Sequence, residues 1–307
     1  MTCDYLVILF YKYTEIKDPQ KLKVEQNILC ASLNLRGRLI IAKEGINGTL
    51  EGLTKDIEKY IKAMHKMNSF SSINFKKSKG SGSAFPKLSI KIRPEIVALG
   101  KPDLNPNKIT GKYITAQELH NWFEQKQEFF VVDMRNDYEY LSGYFEGSIF
   151  SNTHNFFDLP KVLPKLSHLK EKTIVTVCTG GVRCEKASGL LLSNGFNDVY
   201  QLKGGIQTYI EKYPNKYFKG KLYVFDNRLT LGFNTEGKDH EIVGRCMHCK
   251  KVCDSYVNCA FDFCHYHYTC CNDCLDKELK LPFCDKKCKK KFLTNKKLSF
   301  RATARNL

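Results

Sequence analysis

Long apolar runs are missing from this sequence of 307 residues. The longest ones, residues 5–11 and 129–132, are far shorter than the roughly 20 apolar residues of a membrane-spanning helix. A basic segment is also missing ahead of the first run, where Asp4 lies instead. We therefore expect neither a membrane span nor a secretion signal, and we expect a cytoplasmic protein.

A nucleotide-binding loop is missing as well. The glycine-rich segment at residues 80–83 is not followed by the Lys-Ser/Thr pair of a phosphate-binding loop, so it predicts a mobile turn. The lysines around it either contact phosphates or form a solvated face, and the sequence favours neither. They are Lys76, Lys77, Lys79 and Lys87.

Acidic residues are scarce: 32 Asp and Glu face 49 Lys and Arg, which gives a formal net charge of +17 and an isoelectric point near 9.2. This charge favours a polyanionic partner. Nucleic acid is favoured over an anionic membrane because no strongly amphipathic basic helix stands out. A lysine bias in the coding sequence is the alternative explanation.

The imbalance is strongest after Asp285, where no acidic residue follows. A dense block of one charge is usually disordered on its own, but with Phe292 and Phe300 interleaved it can bind phosphates and stack on bases. We predict an RNA-binding tail, with a solvating extension as the alternative. Its candidate contacts are Lys286, Lys287, Lys289, Lys290, Lys291, Lys296, Lys297 and Arg301.

Disulfides are not expected, although the chain has 14 cysteines. Ten of them crowd into residues 246–288, and without a secretion signal this indicates metal binding in a reducing compartment. Two tetrahedral sites need eight ligands, with His248, His265 and His267 in reserve. A structural zinc module is the preferred interpretation; an iron–sulfur cluster and metal-free thiols are the alternatives. The cysteines are Cys246, Cys249, Cys253, Cys259, Cys264, Cys270, Cys271, Cys274, Cys284 and Cys288.

Residues 1–100 follow a β-α-β-β-α-β order, which predicts a ferredoxin-like N-terminal domain. Its first helix begins at Asp18-Pro19, and an Asn-Gly pair indicates a hairpin turn at residues 43–48. The apolar face assigned to that helix is Leu22, Ile28, Leu29 and Leu33. The predicted strands are 5–11, 38–42, 48–51 and 88–92, and the second helix is 54–67.

A Pro- and Asn-rich linker, residues 101–114, precedes an α/β domain with a parallel sheet at residues 115–215. A buried strand at residues 129–132 delivers Asp133 and Arg135 to its carboxyl end, where ligands of parallel sheets gather. Further strands are predicted at residues 174–177 and 199–202. Residues 216–307 hold a hairpin, the Cys-rich module and the basic tail.

The segment after strand 174–177 is the strongest candidate for chemistry. Cys178 opens a loop that runs through Thr179, Gly180, Gly181 and Val182 to Arg183, with a helix predicted from Cys184. Loop amides, the helix dipole and the guanidinium all stabilise a thiolate and lower its pKa. The alternative is a small buried apolar cysteine.

Two details of this loop bear on its chemistry. Four residues separate Cys178 from Arg183, one fewer than in a cysteine phosphatase loop, so a phosphatase is not expected. Cys184 follows directly, where it either resolves an oxidised Cys178 as a disulfide or packs under the loop.

Several short motifs resemble the rhodanese domain over residues 118–214. They are Asp133-x-Arg135, Glu139-Tyr140-x-x-Gly143, Gly147-Ser148-Ile149, the Cys178 loop and Leu202-x-Gly204-Gly205. Together with Phe10-Tyr-Lys-Tyr13 and Glu44-Gly-Ile-Asn47, the whole chain resembles the oxygen-dependent tRNA uridine hydroxylases. The resemblance implies an acylphosphatase-like first domain and Cys178 as the reactive cysteine. It also implies tRNA as partner and molecular oxygen as co-substrate; the electron source stays open.

The resemblance implies that the enzyme hydroxylates carbon 5 of the wobble uridine and forms 5-hydroxyuridine. We hypothesise that Cys178 adds to carbon 6 of a flipped-out uracil while Arg183 and the loop amides hold the charge. Asp133, Arg135 and Cys184 are the expected supporting residues. The alternatives are a rhodanese-type sulfurtransferase with a Cys178 persulfide and a non-catalytic RNA-binding or regulatory protein.

Overall fold

The computed structural model describes residues 4–294 and divides them into two compact units. The first unit holds the chain up to Asp137, then Gly147–Tyr213 and Phe225–Arg228. The second holds Tyr138–Glu146, Pro214–Val224 and residues 229–294. Between residues 4 and 294, no helix combines the length and apolar character that crossing a membrane requires.

The first domain of unit 1 is a five-stranded sheet with two helices on one face, as the ferredoxin-like prediction requires. Its elements are β1 (Tyr5–Tyr13), α1 (Pro19–Ser32), β2 (Arg36–Ala42), β3 (Gly45–Leu53), α2 (Thr54–Lys66), β4 (Asn74–Lys79) and β5 (Leu88–Ile92), with a 3-10 turn at Asn68–Phe70. The strand order is β4-β1-β3-β2-β5, antiparallel except for β5, which runs parallel to β2.

The predicted final strand of this domain, residues 88–92, is confirmed as β5, but the strand before it, β4, was missed. β4 pairs with β1 and takes the place of the fourth ferredoxin strand, whereas β5 is an addition at the other edge. The sequence gives little sign of β4 because its buried residues, Lys76 and Ser78, are polar. A strand without apolar alternation escapes a pattern-based prediction.

The predicted hairpin turn was also wrong in extent. Only two residues, Lys43 and Glu44, separate β2 from β3, and the Asn-Gly pair lies inside β3. Gly48 is there for packing, since a Cβ at this position would lie 2.3 Å from Leu39 Cδ2 and 2.9 Å from Phe10 Cζ. Small size, not turn geometry, explains this glycine.

Two further expectations need correction. In α1 the buried residues are Leu22, Gln26 and Cys30, whereas the predicted Ile28 is 67% exposed. The polar Gln26 side chain can enter the core because the Tyr60 hydroxyl donates a hydrogen bond to Gln26 Oε1 at 2.6 Å. The loop at residues 80–83, expected to be mobile, is fastened to the buried Glu51 carboxylate. That carboxylate accepts from the backbone amides of Ser81, Gly82 and Ala84.

The chain from residue 112 to 212 forms the second domain of unit 1, except for Tyr138–Glu146, which belongs to unit 2. The elements of this stretch are β6 (Lys112–Ile114), α3 (Ala116–Glu124), β7 (Phe130–Asp133), α4 (Asp137–Tyr140), β8 (Gly143–Phe145), β9 (Ile149–Phe150), α5 (Leu159–Val162), β10 (Thr173–Val177), α6 (Val182–Leu192), β11 (Asp198–Leu202) and α7 (Gly205–Lys212), with 3-10 turns at Phe156–Asp158 and Leu163–Leu169. Of these, β8 and most of α4 lie in unit 2. The domain confirms the predicted parallel sheet, with strand order β6-β11-β10-β7-β9. The three predicted strands lie within one residue of β7, β10 and β11.

A buried lysine on α6 joins the two domains of this unit. Lys186 Nζ lies 2.8 Å from Glu44 Oε2 and 2.7 Å from Glu95 Oε1, and its side chain is completely buried. Burial alone would raise the pKa of Glu95, but hydrogen bonds from Lys186 and from the Gly100 amide lower it. Because an uncompensated buried charge costs several kcal/mol, this pairing fixes α6 against the first domain.

Unit 2 is built from short paired strands around a small core rich in cysteine and aromatic residues. Besides β8, its elements are β12 (Phe218–Gly220), β13 (Leu222–Tyr223), β14 (Thr230–Leu231), β15 (Tyr256–Asn258), β16 (His267–Thr269) and α8 (Lys286–Thr294), with a 3-10 turn at Asn272–Cys274. β8 pairs with β12, β13 with β14 and β15 with β16, all antiparallel.

Candidate active site and metal centres

The Cys178 loop lies at the carboxyl end of β10, directly before α6. Gly181 has the left-handed φ of +101° that glycine tolerates, and its amide donates to Cys178 Sγ at 3.2 Å. A Cβ on Gly181 would lie 2.9 Å from the hydroxyl oxygen of Tyr11. The loop therefore needs glycine both for its turn and for its close approach to the first domain.

The surroundings of Cys178 favour its thiolate. Complete burial by itself would raise the pKa of Cys178, but the Cys184 thiol, the Arg183 guanidinium and two backbone amides of α6 together lower it to about 6. Burial and the neighbouring Cys178 sulfur raise the pKa of Cys184 well above its usual value. Cys184 therefore remains a thiol that donates to the Cys178 thiolate.

Alkylation of Cys178 by iodoacetamide is expected to accelerate as the pH rises through about 6, because only the thiolate reacts. The lowered pKa makes most of Cys178 reactive at pH 7, whereas an ordinary thiol with a pKa of about 8.5 is mostly protonated there. Since the chain has 14 cysteines, the rate must be followed on the peptide that contains Cys178, by mass spectrometry.

Cys184 offers a matched pair of controls for this titration. The Cys184→Ala variant loses the side-chain donor, so its alkylation midpoint should move to higher pH. The Cys184→Ser variant keeps a donor and should titrate close to the wild type. A midpoint that is the same in the wild type and in Cys184→Ala contradicts the role assigned to this thiol.

Cys178 lines a cavity of about 520 Å³ that the first domain closes. Along β1, Ile8 and Phe10 belong to the core of the first domain, whereas Leu9 and Tyr11 line the cavity on the opposite face of the sheet. Asn47 of β3 lines the same wall. Tyr11 and Asn47 belong to motifs that carry the family resemblance, but neither they nor Leu9 were predicted to line the site, although a strand that is apolar on both faces indicates cover on both sides.

Aromatic rings occupy much of the rest of the cavity wall. Phe85 is buried, whereas Phe157 and Phe225 are 53% and 44% exposed. The guanidinium carbon of Arg183 lies 5.8 Å from the ring centroid of Phe225. The cavity therefore combines an ionisable sulfur, a cation and flat apolar surfaces.

Asp133 and Arg135, expected as supporting residues, form a fully buried ion pair. Arg135 Nη2 lies 2.6 Å from Asp133 Oδ2, and the Arg135 backbone amide donates to Asp133 Oδ1 at 3.0 Å. Asp133 is paired in register with Val177, the residue before Cys178. The pair lies beside the start of the loop but outside the residues that line the cavity.

Eight of the ten clustered cysteines form two groups of four, each with all its Sγ atoms within 4.8 Å of one another. Cys249 and Cys271 are 3.6 Å apart at sulfur, and Cys284 lies 3.5 Å from Cys264 and from Cys288. Sulfurs around one tetrahedral Zn²⁺ with bonds of about 2.3 Å are about 3.8 Å apart, so both groups fit a single ion. The groups are Cys246, Cys249, Cys271, Cys274 and Cys259, Cys264, Cys284, Cys288.

Cys253 and Cys270, also predicted as ligands, lie outside both groups, as do the three reserve histidines. The groups alternate along the chain: two ligands of the first, two of the second, two more of the first, two more of the second. Each site therefore encloses a segment that carries ligands of the other.

The basic tail begins as a helix instead of a disordered segment. The Asp285 carboxylate accepts from the Cys288 amide at 2.6 Å and so caps α8. Lys289 on this helix pairs with the Asp276 carboxylate, and Lys291 lies over the Phe261 ring. The predicted contacts Lys296, Lys297 and Arg301 lie outside the described residues.

The domain architecture agrees with the family models that match this chain. Family models match residues 5–96 (UPF0176 acylphosphatase like domain), 115–212 (Rhodanese-like domain) and 219–289 (Rhodanase C-terminal). A Bacillus cytotoxicus protein named tRNA uridine(34) hydroxylase is 41% identical over 93% of this chain and 88% of its own length. One from Bacillus cereus with the same name is 39% identical over 94% and 90%. A solved rhodanese-like domain protein from Staphylococcus aureus is 30% identical, covering 32% of this chain and 90% of its own, with a TM-score of 0.29.

Proposed function

The chain belongs to the tRNA uridine(34) hydroxylase family, and we propose that it hydroxylates carbon 5 of the wobble uridine in tRNA. The product is 5-hydroxyuridine, the co-substrate is molecular oxygen, and the reaction takes place in the cytoplasm. The observation that carries this proposal is the position of Cys178, a sulfur with a lowered pKa, on the wall of a 520 Å³ cavity. A cavity of this size holds one nucleotide and no duplex. The uridine must therefore leave the anticodon stack to reach the sulfur.

The cavity offers the flipped base both stacking surfaces and charge. Phe157 and Phe225 present exposed rings, and base–aromatic stacking contributes about 1–3 kcal/mol per base. With the base between these rings and the loop, the Cys178 thiolate adds to carbon 6 and forms a C–S bond. The electron pair of the 5,6 double bond moves toward carbon 5 and oxygen 4, where Arg183 and the loop amides stabilise the charge.

The oxygen step then follows at carbon 5. This electron-rich carbon bonds to one oxygen of a peroxide-level oxidant, and the O–O bond breaks, so that the second oxygen leaves as water. Loss of the carbon 5 proton and departure of the thiolate restore the double bond and free Cys178. Peroxide is O₂ plus two electrons and two protons, so the reaction consumes a two-electron reductant from outside the chain.

Zinc is the metal we propose for the two cysteine groups, in a structural role. Four thiolates around one point leave no open position, as in structural zinc sites. A cluster of two or four irons distributes its thiolates over separate iron atoms, which places the sulfurs farther apart. The zinc module and α8 would hold the basic residues from Lys286 onward against RNA, as predicted for the tail.

Mass spectrometry of tRNA nucleosides from cells that lack this gene tests the proposal. Nucleosides derived from 5-hydroxyuridine should fall to the background level and return when the wild-type gene is restored. The host must have no second route to that nucleoside. If deletion changes nothing while the purified protein transfers sulfur from thiosulfate to cyanide, the hydroxylase proposal is wrong and Cys178 serves as a persulfide carrier.

A further inference from the structure

A second cleft, of about 270 Å³, adjoins the cavity that contains Cys178. Tyr11 lines both spaces and so separates them. The charged residues that line the second cleft are Lys12, Lys76, Lys203 and Glu185. Three cations therefore share the cleft with one carboxylate.

That carboxylate is already occupied by neutral donors. Glu185 is buried, and its Oε1 accepts a hydrogen bond from Tyr11 of the first domain, whereas its Oε2 accepts from residues after the first domain. Within residues 4–294, no carboxylate oxygen lies within 4.0 Å of the Lys76 ammonium. The donors to Glu185 are the hydroxyls of Tyr11, Tyr113 and Thr110 and the amide of Gln201.

Lys76 is the unusual member of the cleft. It is only 8% exposed, and its Nζ lies 5.3 Å from the centroid of the Tyr11 ring. Burial lowers the pKa of Lys76 to about 8, although Cys178 and Glu185 act in the opposite direction. A buried ammonium without an ion-pair partner is costly to the fold, which favours a role in binding an anion.

We propose that this cleft binds a phosphodiester of the RNA strand beside the flipped nucleotide, with Lys76 as the buried contact and Lys12 and Lys203 at the rim. The identity of the RNA rests on the proposed function. Because Tyr11 lines both spaces, a nucleotide that enters the Cys178 cavity brings its flanking phosphates to the second cleft. The sequence left open whether Lys76 faces phosphate or solvent; its burial and its place in the cleft favour phosphate.

Binding of a synthetic anticodon stem-loop to the full chain tests this, by fluorescence anisotropy at several salt concentrations. The Lys76→Gln variant should bind about tenfold more weakly, and its slope of log K against log salt should fall by about 0.7. Stem-loops with uridine or cytidine at the wobble position should lose affinity equally, since a phosphate contact does not depend on the base. The Lys76→Arg variant keeps the charge and should restore most of the affinity.

Lys77→Gln is the matched control, because Lys77 is the next residue of β4, is exposed and pairs with Glu58 instead of facing the cleft. Wild-type affinity and salt slope in Lys76→Gln overturn the proposal. It is equally overturned if Lys76→Gln only shifts the pH midpoint of Cys178 alkylation, because the lysine then serves the thiolate. If binding is tight and depends on Lys76 but no 5-hydroxyuridine forms, the proposed function is wrong and the assignment of the cleft as a phosphate site is still supported.

Discussion

Replacing Cys178 by serine is expected to lower the rate of uridine hydroxylation by a factor of about 10³ or more. A serine hydroxyl is not ionised at neutral pH, and the groups that stabilise the Cys178 thiolate are donors and a cation, which do not remove a proton, so addition to carbon 6 is lost. Removal of a covalent nucleophile commonly costs factors of this size or larger. Single-turnover formation of 5-hydroxyuridine in a purified tRNA, quantified by mass spectrometry, measures the effect.

The serine substitution is nearly isosteric, so the variant should keep the wild-type affinity for the anticodon stem-loop. Cys184→Ser, a similar change one residue beyond Arg183, should keep most of the activity because it retains a donor to the thiolate. If Cys178→Ser hydroxylates within tenfold of the wild type, the covalent mechanism is wrong, while membership of the family is unaffected.

Local features of the active-site loop were predictable from the sequence. A strand, a glycine turn and a helix start lie within a dozen residues around Cys178, and each depends on neighbours in the chain. Asp133 and Arg135 were likewise placed correctly at the end of their strand, because parallel sheets deliver strand ends to one edge. Their catalytic importance stays a prediction.

The cover of the cavity depends on contacts between residues far apart in the chain, and these were not predictable. Leu9 and Tyr11 lie against Gly180 and Gly181, which are about 170 residues away in the chain, and Tyr11 donates to Glu185 on α6. Lys186 gave no sign of burial, because a helical lysine normally faces solvent unless a carboxylate from elsewhere pairs with it. The sequence around Lys186 does not show that Glu44 and Glu95 pair with it, because both carboxylates come from the first domain and reach it only in the folded chain.

The proposed metal ligands were predictable in part from the sequence. Ten clustered cysteines predicted metal sites, but their spacing did not say which eight belong together. In the structure Cys253 and Cys270 lie outside the two groups of four, and the remaining pairs alternate along the chain around the antiparallel strands β15 and β16. Grouping the cysteines by their order along the chain would have assigned neighbouring cysteines to one site, whereas the observed groups alternate.

Loss of one zinc ligand is expected to empty both metal sites. The wild-type protein should contain two Zn²⁺ per chain, whereas Cys246→Ser should contain well under one. The reason is the alternation: without the first ion, the segment between Cys249 and Cys271 is no longer held at both ends, and it carries Cys259 and Cys264 of the second site. Since ligand binding and folding are one process in such modules, metal loss should also open residues 246–288 to protease.

Cys253→Ser is the matched control, because Cys253 is buried in the same segment but belongs to neither group. It should keep two ions per chain and resist protease as the wild type does. Metal content by plasma mass spectrometry and limited proteolysis are measured on the same samples. If the Cys246→Ser protein retains one full equivalent of zinc, the two sites fold independently and the prediction is wrong. If the wild-type protein purifies from zinc-containing medium with iron or without metal, the zinc assignment is excluded.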